Sequence, residues 1–321
     1  MNSYCRVSKS AKNHGMMSQN MTKNREEHRT VGRPKKEISH LRFRELYSAW
    51  ENGKVSQKDI CAELQISRAT LSRIIAEYRQ GKDVEQKLRE DVLKDPNTYN
   101  FNGENVSDGL TLLKCIKNDK IATVFFDPQY RHVLDYLRYG NEGSGRQKQR
   151  SHLPQMTNEQ ISAMIFEISR VIKPSGYLFL WVDKYLITDG LTIADWITNT
   201  PLRKVDMIIW DKGKIGSGAR SRYRTEYLLI IQKEPLLARE TWVDHGLPDI
   251  WPEKVVRKSH PHQKPIELLK RLIIATTTPG DVICDPAAGS YTTLSATASA
   301  GDRIFIGCDL IPPNKYKEDK Y

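Results

Sequence analysis

Residues 282–293 read Val-Ile-Cys-Asp-Pro-Ala-Ala-Gly-Ser-Tyr-Thr-Thr, an apolar run that ends at an acidic side chain and a glycine-containing turn. The run before Asp285 has the apolar, β-branched composition of a short buried strand. Gly289 lets the backbone of the turn approach a ligand closely, because glycine has no Cβ. The stretch therefore predicts a strand whose end carries a binding loop.

The same pattern recurs from about residue 100 onward. Short apolar runs alternate there with helical stretches, and several follow turn clusters such as Thr-Pro-Gly-Asp at residues 278–281. The other runs are Ile121–Phe126, Tyr177–Val182, Val205–Trp210, Tyr227–Ile231 and Ile304–Cys308. This alternation predicts an α/β fold with a doubly wound, mostly parallel sheet. Ligands of such sheets bind beyond the carboxyl ends of the strands, so the residues after each run are the candidate site.

The composition limits the class of protein. The 321 residues, 39% hydrophobic and 28% charged, are enough for one α/β domain and a smaller module. No apolar run reaches the ~18 to 20 residues of a membrane-spanning helix, and the polar N-terminus lacks the apolar core of a signal peptide, so a cytoplasmic protein without membrane contact is expected. Five scattered cysteines, an odd number without a CxxC pair, predict free thiols and neither a disulfide framework nor a metal site.

The net charge of +11 favours a polyanionic partner, and the charge is unevenly distributed. Residues 1–36 carry nine basic side chains against two acidic ones and have almost nothing to bury, which predicts a disordered basic arm. Within the arm, Gly32-Arg33-Pro34-Lys35 resembles the core of a minor-groove AT-hook. A solvated basic tail is the preferred interpretation of those four residues.

Residues 37–82 have the helical periodicity of a small all-α module with three helices. A capping box at Ser56 and Asp59 predicts the start of the second helix. The third helix is expected to run from Arg68 to about Arg79, with its apolar residues on one face.

The segment Ser56–Ile74 resembles a helix-turn-helix of the resolvase or invertase kind, with Gln65 where the turn usually has glycine. The resemblance implies that the third helix contacts a DNA major groove. A plain three-helix bundle used for packing or oligomerisation is the alternative. The candidate DNA-binding residues are Arg68, Thr70 and Arg73. The predicted organisation is a basic arm (1–36), a helical module (37–82), a linker (83–99) and an α/β domain (100–321).

Three motifs in residues 100–312 resemble those of the exocyclic-amino DNA methyltransferases, which make N6-methyladenine or N4-methylcytosine. These motifs are the tetrapeptide Asp127-Pro128-Gln129-Tyr130, the segment His260-Pro261-His262-Gln263-Lys264-Pro265 and the glycine turn Asp285–Thr293. Each lies at a predicted strand end or helix start, in the permuted order that the family calls the β class. The resemblance implies a seven-stranded sheet of the S-adenosylmethionine-dependent methyltransferase type. An unrelated nucleotide-binding α/β domain is the alternative.

The resemblance also implies roles for the tetrapeptide. An exocyclic amino nitrogen is a poor nucleophile because its lone pair is conjugated into the ring, so acceptors must hold it. Asp127 and the backbone carbonyl of Pro128 would each accept one N–H, and Tyr130 would stack on the extruded base. Gln129 departs from the family's second proline, which puts the loop geometry in question. Asp at the first position favours adenine over cytosine as the target base in DNA, and RNA is left open as an alternative substrate.

S-adenosylmethionine is the cofactor that the resemblance implies. Asp285 would face its ammonium, Lys264 its carboxylate and Asp309 its ribose hydroxyls. The expected cofactor contacts are Asp108, His262, Lys264, Asp285, Ala287, Gly289, Ser290, Thr292 and Asp309. A turn-capping role explains Asp108 nearly as well. Tyr291 stands where the family usually has glycine, so its side chain must point out of the loop or over the cofactor.

Two basic, glycine-bearing segments, residues 139–150 and 212–224, flank the expected cleft and suit contact with phosphates. The first is expected to be a mobile loop that closes on the substrate, and a solvated surface loop is the alternative for either segment. Residues 235–258, with Trp242 and Trp251, occupy the family's target-recognition position. The candidate DNA-binding residues are Arg146, Lys148, Arg150, Lys212, Lys214, Arg220, Arg222 and Arg224.

The function expected from these residues is site-specific methylation of double-stranded DNA at adenine N6. The alternatives are N4-cytosine methylation and a DNA-binding regulator with a degenerate methyltransferase domain, the latter suggested by Gln129 and Tyr291. The fused helical module is expected either to share in base recognition or to bind the gene's own operator. A homodimer and a cognate restriction endonuclease are further expected partners.

Overall fold

The computed structural model describes residues 40–129, 155–216, 220–254 and 263–312. The chain divides into two compact units, Met1–Ala76 and Glu77–Tyr321. The predicted basic arm, its AT-hook-like tetrapeptide and the predicted mobile loop at residues 139–150 lie outside the described residues.

Three helices in the predicted order account for the described part of the first unit. Helix α1 spans His40–Glu51, α2 spans Gln57–Leu64 and α3 begins at Arg68. The predicted capping box is present, because Ser56 Oγ accepts the Asp59 N–H at 3.3 Å and the Asp59 carboxylate accepts the Ser56 N–H at 2.8 Å. Gln65 ends α2 with φ 52°, in the left-handed region that usually holds glycine. The helix-turn-helix interpretation stays a prediction.

Helix α3 extends to Val92, well past its expected end near Arg79. Its exposed turns carry i,i+4 pairs such as Arg89 with Glu85 at 2.8 Å, and such pairs stabilise a polar helix. Much of the stretch expected as a linker, residues 83–99, is therefore helical, and its remainder contributes to a core. The buried residues of this stretch are Val92, Leu93 and Tyr99.

Seven strands of the second unit form one sheet in the order β5-β3-β4-β2-β1-β6-β7. They span Ile121–Phe126 (β1), Ile172–Val182 (β2), Leu202–Asp211 (β3), Thr225–Lys233 (β4), Ile250–Pro252 (β5), Val282–Asp285 (β6) and Ile304–Gly307 (β7). Strand β4 runs antiparallel to β2 and β3, and the other neighbouring pairs are parallel. The expected seven-stranded, mostly parallel sheet is confirmed. The sequence does not predict the edge strand β5, which is too short to show a periodic pattern.

Helices cover both faces of the sheet, as a doubly wound fold requires. Alternate strand residues enter two separate cores, with Phe126 and Leu180 on one face and Phe125 and Phe179 on the other. Besides the C-terminal part of α3, the helices in the described residues of the second unit are α4 (Gly109–Cys115), α5 (Asn158–Val171), α6 (Lys184–Asp189), α7 (Thr192–Ile197), α8 (Ala238–Thr241), α9 (Ile266–Thr276) and α10 (Thr292–Ser299). In the described ranges, no helix combines the length and apolarity that a membrane crossing needs.

The strand directions bring five polar or aromatic side chains to the same end of the sheet, the end at which the parallel strands finish. This end is called the carboxyl edge of the sheet below. Asp127 follows β1, Asp285 ends β6 and Asp309 follows β7, all at the carboxyl ends of parallel strands. Trp181 stands near the same end of β2. Glu226 reaches this edge from the opposite chain direction, because β4 is antiparallel and its amino end lies there.

Candidate active site

A cleft at the carboxyl edge of the sheet brings together motifs that lie far apart in the sequence. The predicted site residues that line it are Asp108, Asp127, Gln129, Lys264, Asp285, Ala287, Gly289, Ser290, Thr292 and Asp309. Pro128 is buried between two of them. Five further predicted residues lie outside the described part of the chain, namely Tyr130, Arg146, Lys148, Arg150 and His262.

Asp285 is the most buried carboxylate of the cleft, with 7% of the residue exposed. It accepts a hydrogen bond from the Thr293 hydroxyl at 2.6 Å and another from the Ala287 N–H at 3.1 Å. Burial raises the pKa of Asp285 to about 7, against the stabilising effect of these two hydrogen bonds on the charged form. The negative charges of Asp127 and Asp309 act in the same direction as burial.

Asp309 anchors the glycine loop to the end of β7. One carboxylate oxygen accepts the Gly289 N–H and the other accepts the Ile311 N–H, both at 2.9 Å. Gly289 has φ 50°, a left-handed conformation that glycine adopts without steric cost. The ribose contact expected for Asp309 stays a prediction, and its position in the sequence does not reveal that it also holds the loop.

Tyr291 turns out of the glycine loop and into the protein. Its ring packs edge-on against Phe305 at 6.3 Å between centroids, and its hydroxyl donates to the Asn105 carbonyl at 2.7 Å. The left-handed backbone at φ 54° costs a bulky residue about 1–2 kcal/mol, which ring burial and this hydrogen bond offset. Of the two orientations that the sequence leaves open, the structure has the one that keeps the cleft clear.

Asp108 caps helix α4 and lines the cleft at the same time. Its Oδ1 accepts the Thr111 N–H at 2.9 Å, so the capping interpretation is confirmed. Gly109 packs so closely on the glycine loop that a Cβ there would collide with the carbonyl oxygen of Pro286. The start of α4 therefore forms one wall of the cleft, and a cofactor contact by Asp108 stays a prediction.

Lys264 lies between two carboxylates. Its Nζ is 2.8 Å from Asp127 Oδ2 and 3.0 Å from Glu226 Oε2, and it stands 4.7 Å from the centroid of the Trp181 ring. The family resemblance predicts that this ammonium binds the carboxylate of the cofactor, whereas in the structure it is paired with Asp127 of the tetrapeptide. Lysine has three N–H donors, so one remains for the expected contact, which stays a prediction.

Specific contacts hold the described part of the second basic segment. Lys212 Nζ lies 2.7 Å from Glu226 Oε1, and Arg224 donates two hydrogen bonds of 2.7 Å to the Asp211 carboxylate. The Lys212 N–H donates to the Arg224 carbonyl at 3.0 Å, which prolongs the hairpin of β3 and β4. Four of the residues expected to contact phosphates are exposed in this segment, namely Lys214, Arg220, Arg222 and Arg224.

The two tryptophans of the expected target-recognition segment, residues 235–258, pack inward. Trp242 stands edge-on to Tyr177 at 5.7 Å, and the Trp251 indole N–H donates to Glu253 at 2.7 Å. Both rings pack against the core that α9 covers. They stabilise the sheet, and the sequence alone does not distinguish such aromatic residues from exposed ones.

Sequence reasoning misses two residues of the site, Trp181 and Glu226. Trp181 is the last residue but one of an apolar run whose carboxyl end lies beside that of β1, so inspection of every predicted strand end would find it. Glu226 begins a strand instead of ending one. It lies at the site only because β4 is antiparallel, and nothing in that run indicates its direction.

Comparisons with known proteins identify the family. A family model described as DNA methylase, for the N6 and N4 class, matches residues 121–315. The chain belongs to this DNA methylase family. The Type II methyltransferase M.HhaII of Haemophilus parahaemolyticus is 53% identical over 211 residues, which cover 65% of this chain and 91% of the relative. The DNA adenine methyltransferase YhdJ of Escherichia coli K12 is 26% identical over 238 residues, covering 63% of this chain and 76% of that protein.

Two solved structures are similar to part of this DNA methylase. The M1.HpyAVI–SAM complex has a TM-score of 0.45 at 22% identity and covers 67% of this chain and 95% of its own. The cytosine-N4-specific PvuII DNA methyltransferase has a TM-score of 0.49 at 14% identity and covers 67% of this chain and 90% of its own.

The DNA methylase uses S-adenosylmethionine as methyl donor and DNA as substrate. The lining of the cleft suits this cofactor, whose sulfonium and ammonium groups are positive. Four carboxylates line it, those of Asp108, Asp127, Asp285 and Asp309. Complementary charge of this kind favours a cationic ligand.

We expect the affinity for S-adenosylmethionine to fall as the pH drops below about 7. Ionised Asp285 attracts the cationic cofactor, and the protonated form that is populated below its pKa of about 7 does not. The Kd should rise by up to about tenfold per pH unit below that pKa. Titration calorimetry from about pH 5.5 to 7.5 measures it, since an α-amino group with a pKa of ~7.7–8.0 is mostly protonated over this range.

Two variants assign the titration to Asp285. Thr293→Val removes a hydrogen bond that stabilises the ionised form and should move the midpoint to higher pH. Asp285→Asn should abolish the pH dependence. A dependence that persists in Asp285→Asn, or a flat wild-type profile, would contradict the assignment.

Proposed function

We propose that this DNA methylase transfers the methyl group to the N6 amino group of adenine in double-stranded DNA, acting on a base rotated out of the helix. The observation that carries the proposal is the position of Asp127. Its carboxylate lines the same cleft as the glycine loop and is ion-paired with Lys264 at 2.8 Å. A fixed acceptor beside the cofactor loop suits an amine that must be held in place.

The reaction needs alignment more than acid–base catalysis. The lone pair of an exocyclic amine is conjugated into the ring, and acceptors for both N–H groups turn it toward the methyl group. We assign one acceptor to the Asp127 carboxylate and the other to the Pro128 carbonyl. S-adenosylmethionine supplies a methyl group on a positively charged sulfur. The N–CH3 bond would form as the S–CH3 bond breaks, so the positive charge would pass from sulfur to the nitrogen, which would then release one proton to its acceptor or to water. No anion forms, so the cleft needs no anion-binding site.

The target base must leave the duplex, because a stacked base cannot present its amino group to a cleft. Extrusion costs a few kcal/mol, of which stacking on an aromatic ring returns ~1–3 kcal/mol. Tyr130, outside the described residues, is the proposed stacking partner. Gln129 lines the cleft and its carbonyl accepts the Met156 N–H at 2.6 Å, which supports a defined backbone at this residue without the family's second proline.

Two arguments support adenine as the target base. The tetrapeptide begins with Asp127, which the family resemblance associates with adenine, and the relative YhdJ is named a DNA adenine methyltransferase. N4-cytosine methylation is the second candidate, because the matching family model covers both the N6 and the N4 class.

We propose DNA contacts on each of the two units, described separately. In the second unit, the exposed cations of the β3–β4 hairpin lie at the carboxyl edge of the sheet, which carries the cleft. In the first unit, Arg68 and Arg73 are exposed on α3 and suit a DNA groove. Ser67 Oγ accepts the Thr70 N–H at 3.1 Å and lies 2.9 Å from the Thr70 hydroxyl, so Ser67 caps α3 and the Thr70 hydroxyl is paired with this cap.

The similarity to M.HhaII, a Type II methyltransferase, supports the modification half of a restriction–modification system. A cognate endonuclease, a homodimer and a cytoplasmic location belong to this proposal as predictions. The alternative of a DNA-binding regulator with a degenerate domain loses one of its two arguments. Tyr291, the larger departure from the family pattern, is buried away from the cleft.

Replacing Asp127 with asparagine should lower methyl transfer by about 10²–10⁴-fold, because an amide offers one acceptor atom and a weaker charge to the amine. Tritiated methyl transfer to unmethylated phage DNA measures the rate. Chromatography of the digested nucleosides should give N6-methyladenine as the product.

The matched control is Asp195→Asn, an exposed carboxylate on α7 that does not line the cleft, and it should keep the wild-type rate. N4-methylcytosine as the product would favour the second candidate. A wild-type rate in Asp127→Asn would refute the assignment of Asp127 as acceptor.

Replacing Arg68 and Arg73 together with alanine should weaken DNA binding and reduce the salt dependence of log K by roughly 0.9 for each phosphate that the protein no longer neutralises. Fluorescence anisotropy at several salt concentrations measures both. The control is Lys87→Ala, an exposed cation on the same helix within the second unit. Unchanged affinity and salt slope in the double variant would favour the plain three-helix bundle.

A further inference from the structure

Four charged side chains form a chain of ion pairs that leads from the tetrapeptide into the β3–β4 hairpin. Asp127 pairs with Lys264 at 2.8 Å, Lys264 with Glu226 at 3.0 Å, and Glu226 with Lys212 at 2.7 Å. Signs alternate along the chain, and Glu226 is the residue that contacts both lysines. The two carboxylate oxygens of Glu226 are divided between them, Oε2 to Lys264 and Oε1 to Lys212.

Two tryptophans back this chain of ion pairs. The Lys264 ammonium lies 4.7 Å from the centroid of the Trp181 ring, and the Lys212 ammonium lies 5.5 Å from that of Trp210. The two rings stand edge to face at 6.0 Å. The negative face of an aromatic ring attracts a cation, so the rings restrict where each ammonium can lie. Both tryptophans are 2% exposed and packed in the core, which makes this backing rigid.

The electrostatics keep the middle of the chain charged. Burial would raise the pKa of Glu226, but the ammonium groups of Lys264 and Lys212 outweigh it and lower that pKa to about 2. Burial would lower the pKa of Lys264, and the charges of Asp127 and Glu226 instead raise it above its ordinary value. Lys264 therefore stays an ammonium at neutral pH.

We propose that Glu226 is a positioning residue for methyl transfer, which holds the Lys264 ammonium against Oδ2 of Asp127 and thereby fixes the acceptor carboxylate. This inference rests on the proposed function, because it takes Asp127 as the acceptor of the target amine. Glu226 does not contact the cleft and acts through Lys264.

The flexibility of lysine explains why a second carboxylate is needed. An ammonium on a four-carbon stem has three donors and many rotamers, and a single partner restrains it weakly. Without the charge of Glu226, only Asp127 and the Trp181 ring restrain Lys264, and its ammonium can shift across the Asp127 carboxylate to the oxygen that the target amine needs. With Glu226 present, Lys264 is held at Oδ2, and the orientation of the carboxylate is set before the base arrives.

The test compares three variants in single-turnover methyl transfer to unmethylated phage DNA. Glu226→Gln keeps the shape and removes the charge, Lys264→Met keeps the stem and removes the ammonium, and the third variant combines both. The matched control is Glu167→Gln, a half-buried glutamate on α5 that is ion-paired with Arg170 at 2.6 Å and does not line the cleft.

Glu226→Gln should slow the transfer step by about 10–100-fold, with the KM for DNA and the Kd for S-adenosylmethionine changed by no more than about threefold. In the Lys264→Met background, Glu226→Gln should slow transfer no further, because its effect passes through Lys264. Glu167→Gln should keep the wild-type rate. A merely structural role would change binding and stability together with the rate.

A wild-type transfer rate in Glu226→Gln, or an equal loss with and without Lys264, overturns the inference. Should Glu226→Gln lose cofactor binding, Glu226→Asp, whose carboxylate is one methylene further from Lys264, is compared in the same two backgrounds by the same criteria. The Asp127→Asn result separates the two proposals. A fast Asp127→Asn enzyme overturns the proposed function, whereas a slow one with a fast Glu226→Gln enzyme overturns only the role of Glu226.

Discussion

The ammonium of Lys264, held between the carboxylates of Asp127 and Glu226, is the interaction on which the account of this enzyme depends. A lysine can be held at such a buried position only where nearby negative charges compensate for its lost hydration. The sheet provides them through the directions of its strands. Parallel β1 delivers Asp127 at its carboxyl end, and antiparallel β4 delivers Glu226 at its amino end. The one antiparallel strand thus gives Lys264 its second carboxylate partner, in addition to Asp127.

The sequence predicts the sheet and most of the cleft for a definite physical reason. Fully buried strands are continuous apolar runs, and the first polar residue after each run lies at the carboxyl edge of the sheet, which is how Asp127, Asp285 and Asp309 are found. Glu226 and the length of α3 escape prediction. The direction of a strand leaves no mark on its composition, and a polar helix has no apolar stripe that shows where it ends. The last residue of α3, Val92, and the next residue, Leu93, are buried in the core, and the sequence pattern does not show this burial.

Gln129 and Tyr291 depart from the family pattern, and in the sequence alone both raise doubt about activity. Different contacts accommodate each of them in the structure. Tyr291 accepts a left-handed backbone because its ring is buried and its hydroxyl reaches the backbone of Asn105, which leaves the cleft unobstructed. Gln129 lines the cleft, with its carbonyl bonded to Met156. Each of the two residues is therefore held by a hydrogen bond to a distant segment of the chain, Tyr291 to Asn105 and Gln129 to Met156. Sequence comparison identifies such substitutions, and only the packing of the side chains shows whether they obstruct the cleft.

The most direct measurement is a crystal structure of the enzyme with duplex DNA and a non-transferable analogue of S-adenosylmethionine. The account predicts an extruded adenine whose N6 atom lies about 2.6–3.2 Å from the Asp127 carboxylate, with Lys264 still bridging Asp127 and Glu226. A base whose amino group is held by other residues, with the side chain of Asp127 turned away from the cleft, would contradict it.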